Sequence, residues 1–185
     1  MDPDDLKWET TGTAIDYSCP GFDIRVDSVR FPDGTSGEYH YVDEPGTVVI
    51  LPFTPDERVV VIDEWRQAVG HVNRGIPAGG VEPATDTDLE ATAARELREE
   101  TGYVADSLEH QTTVEPSNGM ANSVHHYFVA RGCEQSGSQE LDDNESIQVA
   151  TTDFETLLDG VLDGTVDDAR TALSVMYHAM TGRAE

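Results

Sequence analysis

Residues Arg95–Tyr103 have the sequence RELREETGY and close the most regular apolar pattern in the chain. On an α-helix, Glu96 would be a neighbour of both Glu99 and Glu100, because residues three and four positions apart share one face. Like charges so placed repel one another by roughly 0.2–0.5 kcal/mol per pair. A divalent cation would relieve that repulsion, and Mg²⁺ prefers hard oxygen ligands. In a chain this rich in acids, however, the same spacing is equally compatible with a solvated helix face.

The sequence around these glutamates predicts a helix over residues 87–101. Thr87 and Glu90 have the spacing of a capping box, in which each residue's side chain satisfies the other's backbone N–H. Gly102 is placed to end the helix. The apolar face of the helix consists of Leu89, Ala93, Ala94 and Leu97.

A glycine-containing segment, Ile76–Gly80 (IPAGG), precedes this helix. Two glycines allow close approach of other groups to the backbone, and a carbonyl of such a loop could supply a further metal ligand. Taken alone, a Gly-Gly pair is more often only a turn. Arg95 lies beside the glutamates and could orient a carboxylate through a bidentate pair.

The rest of the chain predicts strands followed by an inserted helix, which indicates an α/β or α+β fold with a mixed sheet. Pro45-Gly46 separates an antiparallel region, residues 1–44, from a main domain, residues 45–185. Thr47–Phe53 and Val59–Trp65 are apolar, β-branched runs joined by a turn, and they predict a buried hairpin. Other predicted strands cover residues 22–31, 38–42, 124–130 and 146–151, and further helices cover 154–162 and 166–180.

Composition restricts the classes of function. The chain has 37 acidic and 11 basic residues, and a formal charge of −26. Binding to nucleic acid or an anionic membrane requires clustered Lys or Arg, and the sequence has no such cluster. No leader and no apolar run of 18 residues is evident, so we expect a soluble cytoplasmic protein. Cys19 and Cys133 match no metal-site spacing and are expected to be reduced.

Several segments of the sequence resemble a known family. Arg95–Tyr103 matches every fixed position of the C-terminal half of the Nudix box, Arg-Glu-apolar-x-Glu-Glu-x-Gly-apolar, and it follows Pro-Ala-Gly-Gly. Glu64–Gly70 (EWRQAVG) is similar to a Gln-Tyr-Arg-Tyr-Ala-Val-Gly stretch of the ADP-ribose pyrophosphatase branch. Phe22–Glu44 and Pro116–Met120 resemble its N-terminal strands and the loop after the box. The resemblance extends over residues 20–155.

The resemblance implies a mixed sheet sandwiched between helices. It also implies Mg²⁺-dependent hydrolysis of the pyrophosphate bond of ADP-ribose or a related ADP-sugar, giving AMP and a sugar phosphate, with Mn²⁺ as a possible substitute. Two alternatives stay open: another nucleoside diphosphate substrate, such as NADH or a different nucleotide sugar, and a nucleotide sensor without turnover. Silent members usually lose glutamates from the box, and all three are retained here.

The resemblance also assigns roles to residues. Glu96, Glu100 and the Ala78 carbonyl correspond to metal ligands, and Glu99 to a further ligand or a residue that supports one. The general base of the branch is a glutamate on a late loop, which corresponds to Glu145, with Asp142 and Asp143 as neighbouring acids. Glu99 and Arg95, which lie beside these ligands in the sequence, are counted with Glu145 as candidate catalytic residues. The expected substrate-binding residues are Arg66, Gly79, Gly80 and Met120, although Arg66 could instead form only a surface ion pair.

The sequence departs from the family pattern at three positions that bear on the substrate or the helix start. Thr87 stands where the box has its first Glu, and the segment between Gly80 and Thr87 is two residues longer than in the usual box. Gly75 replaces a usual Glu, and Ser123 stands where many ADP-ribose enzymes carry Glu. The last two changes put the identity of the substrate in doubt. The branch typically forms a homodimer through its N-terminal strands, with both chains building each site, so residues 1–44 are expected to form a dimer interface.

The acidic composition suggests an origin in a salt-rich cytoplasm, since Lys7 is the only lysine among so many acids. At molar salt the Debye length falls to about 3 Å, which screens self-repulsion. We therefore expect a higher refolding yield in concentrated KCl than in dilute buffer, measured by far-ultraviolet circular dichroism. Equal yields in the two solutions would argue against this origin.

Overall fold

The computed structural model describes residues 2–82, 88–142 and 144–182. The cap predicted at Thr87 and the acid Asp143 lie outside the described residues. The strands are β1 (Glu9–Ser18), β2 (Asp23–Arg30), β3 (Ser36–Asp43), β4 (Thr47–Pro52), β5 (Arg58–Arg66), β6 (His71–Gly75), β7 (Ala78–Gly80), β8 (Tyr103–Val104), β9 (Ser107–Val114), β10 (His125–Arg131), β11 (Glu134–Gln135) and β12 (Ile147–Asp153). The α-helices are α1 (Leu89–Thr101), α2 (Phe154–Asp163) and α3 (Ala169–Thr181).

The first of two compact units consists of Met1–Gly46 and Val114–Val124. Its three strands form an antiparallel sheet in the order β1-β2-β3. The predicted strands at β2 and β3 are confirmed. β1 was not predicted, because its apolar alternation is limited to Ile15 and Tyr17, and all ten of its residues are exposed. The assignment of residues 1–44 to dimerisation stays a prediction.

The second unit, Thr47–Thr113 with His125–Glu185, contains a mixed sheet and an antiparallel sheet. In the mixed sheet, of order β7-β4-β10-β9, strands β4 and β10 run parallel, as the predicted class requires. The antiparallel sheet has the order β12-β5-β6. No described helix is both long enough and apolar enough to cross a membrane.

The hairpin predicted from Thr47–Phe53 and Val59–Trp65 is wrong. Both strands exist, but β4 pairs with β7 and β10, whereas β5 pairs with β12 and β6. An isolated antiparallel bridge joins Phe53, just beyond β4, to Val59. Because both runs are buried on both faces, each occupies the centre of its own sheet and takes partners from elsewhere in the chain.

Helices cover both faces of the mixed sheet. Side chains alternate along β4, so Val48 and Ile50 face α1, where they pack with Ala93 and Leu97. On the opposite face, the ring of Phe53 just beyond β4 meets two other rings. These are Phe154 of α2, with centroids 5.8 Å apart, and His178 of α3, with centroids 5.1 Å apart. The sandwich of helices and mixed sheet is confirmed.

Capping side chains set the starts of α1 and α3, and a glycine sets the end of α1. α1 begins at Leu89, later than predicted, because the Asp88 side chain accepts from the Glu90 N–H and caps it. Gly102, at φ 75°, ends it as predicted. α3 begins at Ala169 rather than at Val166, because Asp168 caps it by accepting from the Thr171 N–H.

Candidate active site

Glu100 is a buried carboxylate at the last turn of α1, only 4% exposed. Its Oε2 accepts a hydrogen bond from the Ala78 N–H at 3.0 Å, which ties α1 to β7. Burial raises the pKa of Glu100 to about 8, although the Ala78 N–H opposes the rise. Nearby negative charges raise this pKa further, and they belong to Glu145, Glu96 and Glu64.

Glu96 lies one turn earlier, with its side chain 13% exposed. Burial raises its pKa to about 7, against the effect of the neighbouring Arg95 guanidinium. The carboxylate lies directly over Gly79: a Cβ built on Gly79 would be 2.0 Å from the carboxyl carbon of Glu96. Only glycine at position 79 allows the loop and this carboxylate to approach so closely.

Arg95 and Glu99 form an ion-paired group beside these two carboxylates. The Arg95 Nη1 lies 2.8 Å from Glu96 Oε1 and 2.8 Å from Glu99 Oε2. The second oxygen of Glu99 lies 3.3 Å from Arg98 Nη2. Glu96 and Glu100 thus lie against Gly79 and Ala78 of β7, whereas Glu99 is engaged by two arginines.

Glu145 lies on the loop before β12 and is close enough to act electrostatically on this cluster. Its negative charge contributes to the raised pKa values of Glu64, Glu96 and Glu100. Its Oε2 accepts from the Asp142 N–H at 3.0 Å, and its own N–H donates to the Asp142 carbonyl. The late-loop glutamate therefore comes near the helix glutamates in space.

Glu64 is a further carboxylate of this group that the sequence analysis did not select. It lies on β5, is 8% exposed, and forms a 2.7 Å ion pair with Arg66 Nη2. Burial raises its pKa, against the effects of Arg66 and Arg170. The sequence does contain a signal for Glu64, because it is an acid within an apolar strand. A buried acid needs a charged or hydrogen-bonding partner.

Gly80 and Met120 are also predicted to bind substrate. Gly80 is exposed, with open space where a side chain would begin. Met120 belongs to the first unit, where its carbonyl accepts from the Val42 N–H and its side chain is 63% exposed.

The donor chemistry of the cluster fits a divalent cation. Several carboxylates share a small, partly desolvated region and raise one another's pKa, so added positive charge would be favourable there. Over residues 2–82, 88–142 and 144–182, no three acidic, His or Cys side chains surround one point as they are placed. Glu96 points to Arg95 and Glu100 to the Ala78 N–H, so a cation would require these side chains to turn.

Comparisons with known proteins agree with the resemblance of Arg95–Tyr103 to the Nudix box. A family model described as the NUDIX domain matches residues 43–172. An ADP-ribose pyrophosphatase of Bacillus subtilis is 33% identical over 173 residues, covering 93% of this chain and 92% of that protein. A methanol dehydrogenase activator of Bacillus methanolicus is 28% identical over 155 residues, 83% of each chain. A crystal structure of an ADP compounds hydrolase has the same fold, with a TM-score of 0.80, 20% identity and 97% coverage of both chains.

The buried charge of Glu100 should destabilise the metal-free fold. A carboxyl whose folded pKa is raised stabilises the fold below its unfolded pKa, here 4.5, and loses that contribution as the pH rises through about 8. Glu100→Gln keeps an acceptor for the Ala78 N–H and removes the charge. At pH 8 in EDTA, the variant should gain on the order of 1–3 kcal/mol in free energy of unfolding, and near pH 4.5 much less.

Urea denaturation in concentrated KCl measures this difference. Glu90→Gln is the matched control, because Glu90 lies exposed on the same helix and its replacement should give no gain. A Glu100→Gln protein less stable than the wild type at pH 8 would contradict the account of the site.

Proposed function

The chain belongs to the Nudix family, and from this premise we propose that it hydrolyses the pyrophosphate bond of ADP-ribose or a related ADP-sugar, giving AMP and a sugar phosphate. The observation that carries the proposal is the approach of two glutamates of α1 to β7: the buried Glu100 accepts from the Ala78 N–H, and the partly buried Glu96 lies over Gly79. The name of the Bacillus subtilis relative supports the choice of substrate.

The proposed metal ligands are Glu96, Glu100 and the Ala78 carbonyl. Mg²⁺, or Mn²⁺ in its place, would polarise the pyrophosphate and neutralise the charge that develops on it. Glu99 had two possible roles, as a further ligand or as a support for one. Because both of its oxygens are engaged by Arg95 and Arg98, the second role is favoured, with Arg95 holding Glu96 in place.

Glu145 is the proposed general base. Its carboxylate takes a proton from the attacking water as the water oxygen bonds to one phosphorus. The bond from that phosphorus to the bridging oxygen breaks, and the electron pair leaves with the second phosphate. The Asp142 N–H holds one oxygen of Glu145 and so orients the carboxylate during proton transfer.

The proposed substrate contacts are of two kinds. Arg66 is 36% exposed and retains surface for a phosphate or ribose contact beside its ion pair with Glu64. Gly79 and Gly80 have no side chains and so allow the pyrophosphate to approach the backbone. Met120 is the remaining proposed substrate contact.

The proposed partner is a small nucleotide substrate. We propose that the protein binds neither nucleic acid nor membranes. The charge of −26 supports this restriction, because polyanions would be repelled. The same negative charge supports the proposal that the protein works in a salt-rich cytoplasm.

Chromatography of the products formed from ADP-ribose tests the reaction. With MgCl₂ in concentrated KCl, the wild type should give AMP and ribose 5-phosphate, and chelation with EDTA should stop the reaction. Glu100→Gln should lower the rate at least about 100-fold, because a ligand of the cation that would stabilise the developing charge is lost. Glu90→Gln, on the exposed face of the same helix, should keep the wild-type rate.

If folded wild-type protein leaves ADP-ribose intact, the same assay applies to other nucleotide sugars and to dinucleotides such as NADH. Turnover of one of these would change the substrate and keep the reaction. A silent panel would favour a nucleotide-binding sensor.

We also propose that the protein is a homodimer through its first unit. β1 is an edge strand whose ten residues are all exposed, and unpaired edges readily pair with another chain. Large apolar side chains lie on and beside this strand and are exposed: Leu6, Trp8, Ile15, Tyr17 and Phe22.

Light scattering in concentrated KCl should give a mass near twice 20.2 kDa. Ile15→Glu, which puts a charge on β1, should shift the protein towards the monomer. Leu162→Glu is the matched control, because Leu162 is equally apolar and 68% exposed but lies on α2. A wild-type mass near 20.2 kDa would overturn the dimer.

A further inference from the structure

The backbone of Ile76–Ala78, which carries the proposed carbonyl ligand, is held at three successive points. The Ile76 N–H donates to Thr171 Oγ1 of α3 at 3.0 Å. The Pro77 carbonyl accepts from the Ile50 N–H of β4 at 2.9 Å. The Ala78 N–H donates to Glu100 of α1 at 3.0 Å. Since Pro77 has no N–H, both backbone donors of this segment are bound by side chains from two different helices.

The Thr171 hydroxyl is itself held in one orientation. It donates to Asp168 Oδ2 at 2.7 Å, and the same oxygen accepts the Thr171 N–H at 3.0 Å as the cap of α3. Because the hydroxyl proton is directed to Asp168, an oxygen lone pair is left to face Ile76. Thr171 is fully buried, so water cannot replace this acceptor.

Close packing beside the loop leaves this contact little freedom. A Cβ built on Gly75 would lie 3.0 Å from Thr171 Oγ1 and 3.4 Å from Asp168 Oδ2. The loop therefore comes against α3 at Gly75 and Ile76, and against α1 at Ala78 and Gly79.

We propose that Thr171, oriented by Asp168, is a positioning residue for the metal site: it fixes Ile76 and thereby the direction of the Ala78 carbonyl two residues later. The inference rests on the proposed function, because it concerns the loop that would supply the ligand. Thr171 touches neither the metal nor the substrate. Its loss should weaken metal binding while the fold persists.

Titration of the substrate-free protein with MnCl₂, followed by electron paramagnetic resonance of free Mn²⁺, tests the proposal. Thr171→Val keeps the shape of the side chain and removes the hydroxyl, and we expect about tenfold weaker Mn²⁺ binding, the effect of losing a group that supports a ligand. Thr171→Ser restores the hydroxyl and should bind Mn²⁺ within about twofold of the wild type. Ser174→Ala is the matched control.

Ser174 is also fully buried on α3, one turn further on, but its hydroxyl lies 3.4 Å from Gln111 rather than against the loop. Its replacement should lower the melting temperature and leave Mn²⁺ affinity unchanged. Hydrogen exchange at the Ile76 amide gives a second readout, because the amide should exchange faster in Thr171→Val and at the wild-type rate in Ser174→Ala.

The outcomes separate this inference from the proposed function. If the wild type binds Mn²⁺ and Thr171→Val binds it equally well, or if Thr171→Ser fails to restore binding, Thr171 has only a structural role and the inference is overturned. If the wild type itself binds no Mn²⁺ and leaves every nucleotide intact, the proposed function fails, and the inference fails with it. If Thr171→Val does not fold, Thr171→Ser decides the question. Mn²⁺ affinity equal to that of the wild type, with slow exchange of the Ile76 amide, supports the inference, whereas weaker Mn²⁺ binding by Thr171→Ser overturns it.

Discussion

The hydrogen bond from the Ala78 N–H to the buried Glu100 carboxylate is the interaction on which the site depends. It connects the end of the box helix to a three-residue strand of the mixed sheet, and so fixes the glycine-containing loop against α1. Water would normally solvate a carboxylate, and here burial raises its pKa to about 8. The fold therefore places this carboxyl where the charged form is unfavourable, and a bound cation would favour the charged form.

The surrounding structure is built to tolerate this charge. Arg95 lies against Glu96 and Arg66 against Glu64, so the outer carboxylates have cationic partners. Glu100 has a backbone N–H instead. In this graded arrangement the innermost carboxylate has a backbone N–H as its partner, which suits the proposed role of Glu100 as a metal ligand. Under that role, stability and activity would oppose each other at Glu100.

Contacts from α3, α1 and β4 hold the backbone of Ile76–Gly79 in place. Glycine at position 79 allows the close approach of Glu96 but leaves the backbone free to move in the unfolded chain. Thr171 of α3 and Glu100 of α1 each bind one backbone donor, and β4 binds the intervening carbonyl. The C-terminal helix thus connects physically to the site, although it lies some seventy residues after the box helix along the chain.

The sequence by itself determined the box helix, its end at Gly102 and the presence of Glu96, Glu99 and Glu100 on it, because helix periodicity and capping are local properties. It also determined the mixed class of fold and most strands with an apolar pattern. In the exposed strand β1 the apolar pattern, Ile15 and Tyr17, is too short to predict a strand. Only the tertiary structure decided that β4 and β5 belong to different sheets and that Glu64 joins the carboxylates. It alone decided, too, that Thr171 holds Ile76. Strand partners, desolvation and side-chain to backbone contacts join residues far apart in the chain, and no local pattern encodes which of them will meet.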